Sequence, residues 1–292
     1  MKYVNDLEIG KKVIIDKYPE FANSAFEGDN SGWDNYAVKV DNKYIFRFSR
    51  DGGAYRVIRM EFDVLSKLKS KLPKNIKVPD FIYYNLDSDY PFVGYEMIQG
   101  KFLSKELFYE MEDDKKEQFL ENMAEFINIL HSLDVKSCEL DIIEPIENYK
   151  MRYKEFKDKA YKYFNEEIRN KTDLLFESYF NNKNMYKYVP TVIHGDLSTD
   201  HIIITDDGIG IIDFGDTRIF DGAYDFQWAY LLGKDVLEKI LKKYNKQIDD
   251  YFIDRITDFY TKIIPYYGVV YASEINDNEL LEKSIKEIKL LK

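Results

Sequence analysis

Two short isoleucine-rich runs constrain this chain more than any other feature. Ile202-Ile203-Ile204 and Ile209 to Ile212 flank Asp207-Gly208, a pair that favours a tight hairpin turn. Neither run is long enough for a helix, and both are apolar enough to be buried strands. Whatever stands at the polar ends of such a hairpin is therefore held on a rigid support. Those ends are densely polar. His194-Gly195-Asp196-Leu197-Ser198-Thr199-Asp200-His201 precedes the hairpin, and Asp213-Phe214-Gly215-Asp216 follows it. A further apolar run, Thr191 to Ile193, leads in. Helical patterns flank this β segment on both sides, which points to an α+β arrangement and excludes a doubly wound parallel sheet.

The first third reads differently. Asp6 to Tyr18 predicts a helix, and Gly28-Asp29-Asn30-Ser31-Gly32 predicts a loop. Asn35 to Val40 and Tyr44 to Phe48 alternate about the turn Asp41-Asn42-Lys43, the signature of a hairpin. A helix is expected from about Tyr55 to Lys71, and strands around Phe81 to Asn85 and Phe92 to Ile98. Beyond Gly100 the pattern is mostly helical. A helix begins at Asp113, with Phe119, Met123, Phe126, Ile127, Leu130 and Leu133 inward. One long helical stretch covers 146–181, and helices resume at about Ala223. The reading is a two-lobed α+β fold. Residues 1–97 form a β-rich N-terminal lobe, and residues 98–292 a mainly helical C-terminal lobe.

Composition removes several function classes. Aromatic residues reach 16% of 292, against a disordered chain. One cysteine, Cys138, excludes an intramolecular disulfide framework and suits a reducing compartment. The start of the chain lacks the apolar core of a signal peptide, and no run approaches the ~20 apolar residues of a membrane span. A cytoplasmic monomer with no membrane partner is expected. The net charge of −11 argues against nucleic-acid binding. Residues 1–97 hold 15 basic and 15 acidic side chains, so the whole excess lies in 98–292. A cation-attracting second lobe follows, unless the acids merely solvate helix surfaces.

Buried carboxylates without partners are costly, so the acids at the hairpin ends require a reason. A divalent cation is the simplest, and carboxylates with an open position suit magnesium and substrate phosphates. A turn-rich surface loop with incidental acids is the plain alternative. A zinc site from His194, Asp196, His201 and Asp213 is another, although its spacing matches no common pattern. His194 reads as a structural hydrogen-bonding residue. In the first lobe Ile58, Glu61, Leu65 and Leu68 share one helix face, which puts a carboxylate on an apolar stripe. Ile45 and Arg47 share the strand face opposite Tyr44, Phe46 and Phe48, so Arg47 is the expected partner of Glu61. No P-loop run is present. Gly208-Ile209-Gly210 lies in a hairpin, not at a strand-to-helix turn, and carries no dinucleotide signal.

His194-Gly195-Asp196 with Ile211-Ile212-Asp213-Phe214-Gly215-Asp216 resembles the catalytic and metal-binding motifs of aminoglycoside phosphotransferases, which share the protein-kinase-like fold. Phe46-Arg47-Phe48 resembles the strand bearing the phosphate-binding cation, with Arg47 in place of the usual Lys. Glu61 matches the glutamate of the next helix. Phe92 to Gly100 resembles the segment between lobes, and Leu130-His131-Ser132-Leu133 the end of the first large-lobe helix. Ser198-Thr199-Asp200-His201 is similar to the Ser-x-Asp-His of the branch that modifies a 2″-hydroxyl. The resemblance implies a transfer of the γ-phosphoryl group of ATP or GTP to a small-molecule hydroxyl, with Asp196 orienting or deprotonating it. It implies magnesium on Asp213, with His201 where most of the family has Asn, acting on the metal through water. It places nucleotide contacts at Arg47, Glu61, the loop containing Ser31, and Glu96, Met97 and Ile98. Acceptor contacts fall on Ser198, Asp216, Asp225, Trp228, Asp235 and Glu274. After Asp225, where the branch supplies acids, this chain runs Phe226-Gln227-Trp228-Ala229-Tyr230, which leaves a macrolide or small metabolite alcohol as an alternative acceptor. A catalytically silent binding protein is the remaining alternative.

Overall fold

The computed structural model describes residues 2–30 and 35–291. The expected Ser31 contact lies outside the described residues.

The chain begins with α1 (Leu7–Lys17), β1 (Phe26–Asp29), β2 (Asn35–Val40), β3 (Tyr44–Ser49), α2 (Gly52–Lys69), β4 (Ile76–Lys77), β5 (Tyr83–Tyr84), β6 (Phe92–Glu96), β7 (Lys101–Phe102), α3 (Lys105–Glu110) and α4 (Asp113–Leu130). It continues through α5 (Pro145–Lys159), α6 (Glu166–Asn181), β8 (Pro190–Ile193), β9 (Ile202–Ile204), β10 (Ile209–Ile211) and β11 (Arg218–Asp221). It ends in α7 (Gln227–Leu232), α8 (Lys234–Leu241), α9 (Phe252–Asp254), α10 (Thr261–Ile275) and α11 (Asn278–Leu290). The α+β reading therefore holds, with strands concentrated early and helices late.

Compactness divides the chain elsewhere than at the expected 97/98 boundary. One unit comprises Met1–Leu140 with His194–Thr217, the other Asp141–Ile193 with Arg218–Lys292. The reason is a four-stranded sheet in the order β4-β10-β9-β7, which ties the isoleucine hairpin to strands on both sides of residue 97.

In the first unit β1-β2-β3-β6-β5 form an antiparallel sheet. Strand alternation sends Val38, Val40, Phe46, Phe48 and Phe92 to one face, where they pack with Ile14 and Phe21. Asp6 caps α1 by accepting the Glu8 and Ile9 amides at 2.9 and 3.2 Å. The opposite face carries Arg47 toward α2, whose Ile58, Glu61, Leu65 and Leu68 are all buried. The helix from Asp113 buries all six apolar side chains assigned to its inner face and the turn after it. Gly28 and Asp29 are in β1 rather than a loop, because Gly28 registers with Val38.

In the second unit the 146–181 stretch is two helices, parted by a tight turn at Tyr161–Tyr163. Its core is aromatic: Tyr179 stacks on Phe259 at 3.9 Å, and Tyr149 meets Phe259 edge-on at 4.8 Å. β8 and β11 form a two-stranded antiparallel ladder.

Candidate active site

The isoleucine hairpin anchors the site. Ile202, Ile209 and Ile211 are fully buried. His194, also fully buried, fastens the incoming loop to the hairpin. Its Nε2 donates to the Ile212 carbonyl at 3.0 Å, and its Nδ1 accepts the Asp196 amide at 3.3 Å. With both nitrogens engaged, His194 is a structural crosslink. Gly195 turns the chain at φ 83°, a backbone region that side chains resist. The turn leaves Asp196 exposed beside two buried residues.

At the other end Asp213 sits at φ 63°, ψ 68°, a left-handed conformation uncommon outside glycine. Strain of this kind is held in place by its surroundings and concentrates at functional positions. Here the surroundings are Phe214, buried against Phe126 at 6.1 Å and against the His194 ring at 4.6 Å.

His201 joins the two acids. Its Nδ1 lies 2.7 Å from the Asp196 carbonyl and 3.4 Å from Asp196 Oδ2. A carbonyl oxygen only accepts, so Nδ1 carries the proton. The ring turns Nε2 toward Asp213 Oδ2, 3.6 Å away. That separation is beyond an ordinary hydrogen bond. Among the described residues no group of three or more His, Cys, Asp or Glu is placed to hold a metal. A pair of donors suits a hard cation that takes its other ligands from water and phosphate, as magnesium does. Asp213 fits as the direct ligand. His201, a poor ligand for a hard ion, fits as a support. Ser198 Oγ lies 3.4 Å from His201 Nδ1.

The expected Arg47–Glu61 pair is equally well defined. Arg47 Nη1 donates to Glu61 Oε1 at 2.7 Å, as the stripe on α2 requires. Glu61 is fully buried and Arg47 nearly so. Burial pushes the Glu61 carboxyl up, and the guanidinium opposes that. Tyr95, which the sequence reading missed, shares this cluster: it is buried, and its raised hydroxyl pKa is opposed by the nearby Arg47 guanidinium. Only strand register could have found it, because Tyr95 faces Ile45, two residues from Arg47. In the segment Glu96, Met97 and Ile98, the Met97 amide is engaged by the Lys43 carbonyl at 2.7 Å. Ile98 rests on Gly210, where a Cβ would come within 2.4 Å of its Cγ2. Glu96 pairs with Lys43 at 3.9 Å.

The expected acceptor contacts are scattered. Asp216 is exposed in the turn after Asp213. In the second unit Asp235 is exposed in the first turn of α8. Asp225 and Trp228 are buried, which corrects their reading as an acceptor surface: the apolar run around them is core. Glu274 is engaged by Lys159 at 2.7 Å.

Residues 25–253 match the model of the phosphotransferase enzyme family, APH. Solved structures agree in fold. APH(2″)-IIIa with GDP and kanamycin is 23% identical, at TM-score 0.85 over 96% of this chain and 97% of that one. APH(2″)-IIa with gentamicin is 20% identical, at TM-score 0.78 over 99% and 98%. The macrolide 2′-phosphotransferase MphH from Brachybacterium faecium is 14% identical, at TM-score 0.69 over 98% and 99%. The fold has the kinase-like form of these enzymes, and by the family match over most of its length the chain belongs to the phosphotransferase enzyme family.

Proposed function

We propose that this chain moves the γ-phosphoryl group of ATP or GTP to a hydroxyl of an aminoglycoside, the 2″-hydroxyl being the first to test. The carrying observation is the pair of exposed carboxylates, Asp196 and Asp213, held on one buried hairpin with His201 between them at 3.4 and 3.6 Å. Asp196 orients the acceptor hydroxyl and takes its proton. Arg47 meets the nucleotide phosphates, and the Ile98 amide with the neighbouring carbonyls reads the base edge, since the Met97 amide is engaged. Magnesium, held by Asp213 with His201 behind it, would neutralise charge developing between the phosphates. Ser198 and Asp216, both in the first unit, remain as acceptor contacts. The exposed Asp196 and Asp213 speak against a silent binding protein. Cytoplasmic monomer, antibiotic resistance and magnesium dependence belong to this proposal.

One observation favours the second reading, a macrolide or small metabolite alcohol. Asp225 is buried and Glu274 is paired, so fewer acids stand ready for a polycation. The test is transfer from ATP and GTP to kanamycin, a macrolide and simple alcohols, with acceptor affinity measured against ionic strength. A polycation bound by acids loses affinity steeply by ~0.5 M salt, where the Debye length has fallen to ~4 Å. Kanamycin affinity that ignores salt, or absent kanamycin turnover beside macrolide turnover, overturns the aminoglycoside reading. No transfer to any acceptor with intact nucleotide binding overturns the enzyme.

A further inference from the structure

Arg47 stands where the family resemblance leads one to expect a lysine, and the two cations place different demands on a site. A lysine is a point charge with three equivalent donors. A guanidinium is a plane, and its five N–H groups point where the plane points. One hydrogen bond, from Nη1 to Glu61 Oε1 at 2.7 Å, leaves that plane free to pivot. A second contact on another edge is needed to fix it.

The sheet supplies one. Arg47 registers with Val93 on β6, and Ile45 with Tyr95, so Arg47 and Tyr95 are diagonal neighbours on the face toward α2. Tyr95 is 7% exposed and packs its ring on Phe81 at 5.6 Å, which leaves its hydroxyl little room to move. That diagonal placement puts the phenol within reach of the guanidinium, and burial raises its pKa, so it stays a neutral phenol. We infer that Tyr95 is a positioning residue that, together with Glu61, fixes the plane of the Arg47 guanidinium for contact with a nucleotide phosphate. The inference rests on the phosphotransferase reading and adds a reason why this chain uses arginine.

A lysine in place of Arg47 would have no plane to fix, so the effect of Tyr95 must vanish with the arginine. Tyr95→Phe, Arg47→Lys and the double variant close a thermodynamic cycle. GDP and ADP binding with magnesium is read by calorimetry, and kcat and nucleotide KM by steady-state transfer. Tyr95→Phe is expected to weaken nucleotide binding about 10-fold, the size of one hydrogen bond to a charged group. KM should rise while kcat and the melting temperature stay close to the parent. In the Arg47→Lys background the same change should leave affinity unaltered. An equal loss in both backgrounds means that the hydroxyl acts without Arg47 and overturns the inference. So does an unchanged affinity for Tyr95→Phe in a protein that binds nucleotide well. A parent protein that binds neither nucleotide brings down the phosphotransferase reading, and the inference with it.

Discussion

Among the described residues each unit buries an arginine–carboxylate cluster, and the two are built differently. In the second unit Arg255 is fully buried and donates to four carboxylate oxygens. Nε and Nη2 reach Asp221 at 2.5 and 3.3 Å, and Nη1 and Nη2 reach Asp249 at 2.8 and 2.7 Å. Asp221 also accepts from the Tyr260 hydroxyl at 2.7 Å and the Ala223 amide at 3.1 Å. In the first unit Arg47 makes one well-formed bond to Glu61. Glu61 Oε2 is buried without a good partner, the Phe214 amide pulling only weakly on the carboxylate. A saturated network serves the fold, because every desolvated charge is compensated. An unsaturated one leaves bonding capacity for something else. The comparison sets an arginine whose bonds are all spent on the fold against one whose cluster keeps bonding capacity, without reference to any relative.

The largest break in the comparison should come from Asp221→Ala. It strands Arg255 in the core, and about 3–5 kcal/mol of stability should be lost. Thermal and urea unfolding read this directly, and a loss under ~1 kcal/mol would mean the network is not structural. Next is Asp196→Asn, expected to lower kcat at least ~100-fold with folding and nucleotide affinity intact. Near-normal turnover would remove Asp196 from the mechanism. Glu61→Gln should sharpen the contrast. Gln keeps an acceptor for Arg47 Nη1 but leaves the guanidinium without its counter-charge, so the melting loss should be smaller than that of Asp221→Ala, while kcat/KM falls roughly 10-fold as Arg47 loses its anchor. A melting loss as large as that of Asp221→Ala would make the two clusters equivalent.

The smallest effect is a pH dependence. Burial works to raise the Asp249 carboxyl, but hydrogen bonds from Arg255 and the Tyr251 amide, with the charge of Arg255, together outweigh it and hold the group below its ordinary 3.8. A lowered folded-state pKa contributes stability above the unfolded value, and this is lost as pH falls through the folded one. Asp249 is partly exposed, so Asp249→Asn should cost about 1 kcal/mol or less at pH 7. The gap to the parent should close below about pH 4, near the 3.8 of an ordinary aspartate. Parallel unfolding curves at pH 7 and pH 3 test it, and a gap as wide at pH 3 as at pH 7 would show that charge is not its source.

The same contrast explains what the sequence disclosed. Arg47–Glu61 was legible because two local periodicities, a helix stripe and a strand alternation, each pointed at the other. The Asp196–Asp213 hairpin was legible because it is contiguous. The Arg255 network was not, since Asp221, Asp249 and Arg255 lie in different elements and no spacing rule links them. Strands β1, β4, β7 and β11 were missed for a related reason: a strand of two to four residues carries no period, and its partner decides it. Asp225 and Trp228 were assigned to the acceptor, but an apolar run such as Phe226 to Leu232 belongs to a core by default.

On the proposed role of Asp213 in holding magnesium, its left-handed backbone sets heat tolerance against activity. Glycine adopts that conformation freely, and a side chain there costs on the order of 1–2 kcal/mol. A population selected only for surviving heat should therefore drift toward glycine at this position. Its members would be sturdier and inert. A library of chains ranked by melting temperature would place its dead enzymes near the top, and position 213 is where that inversion should first be seen.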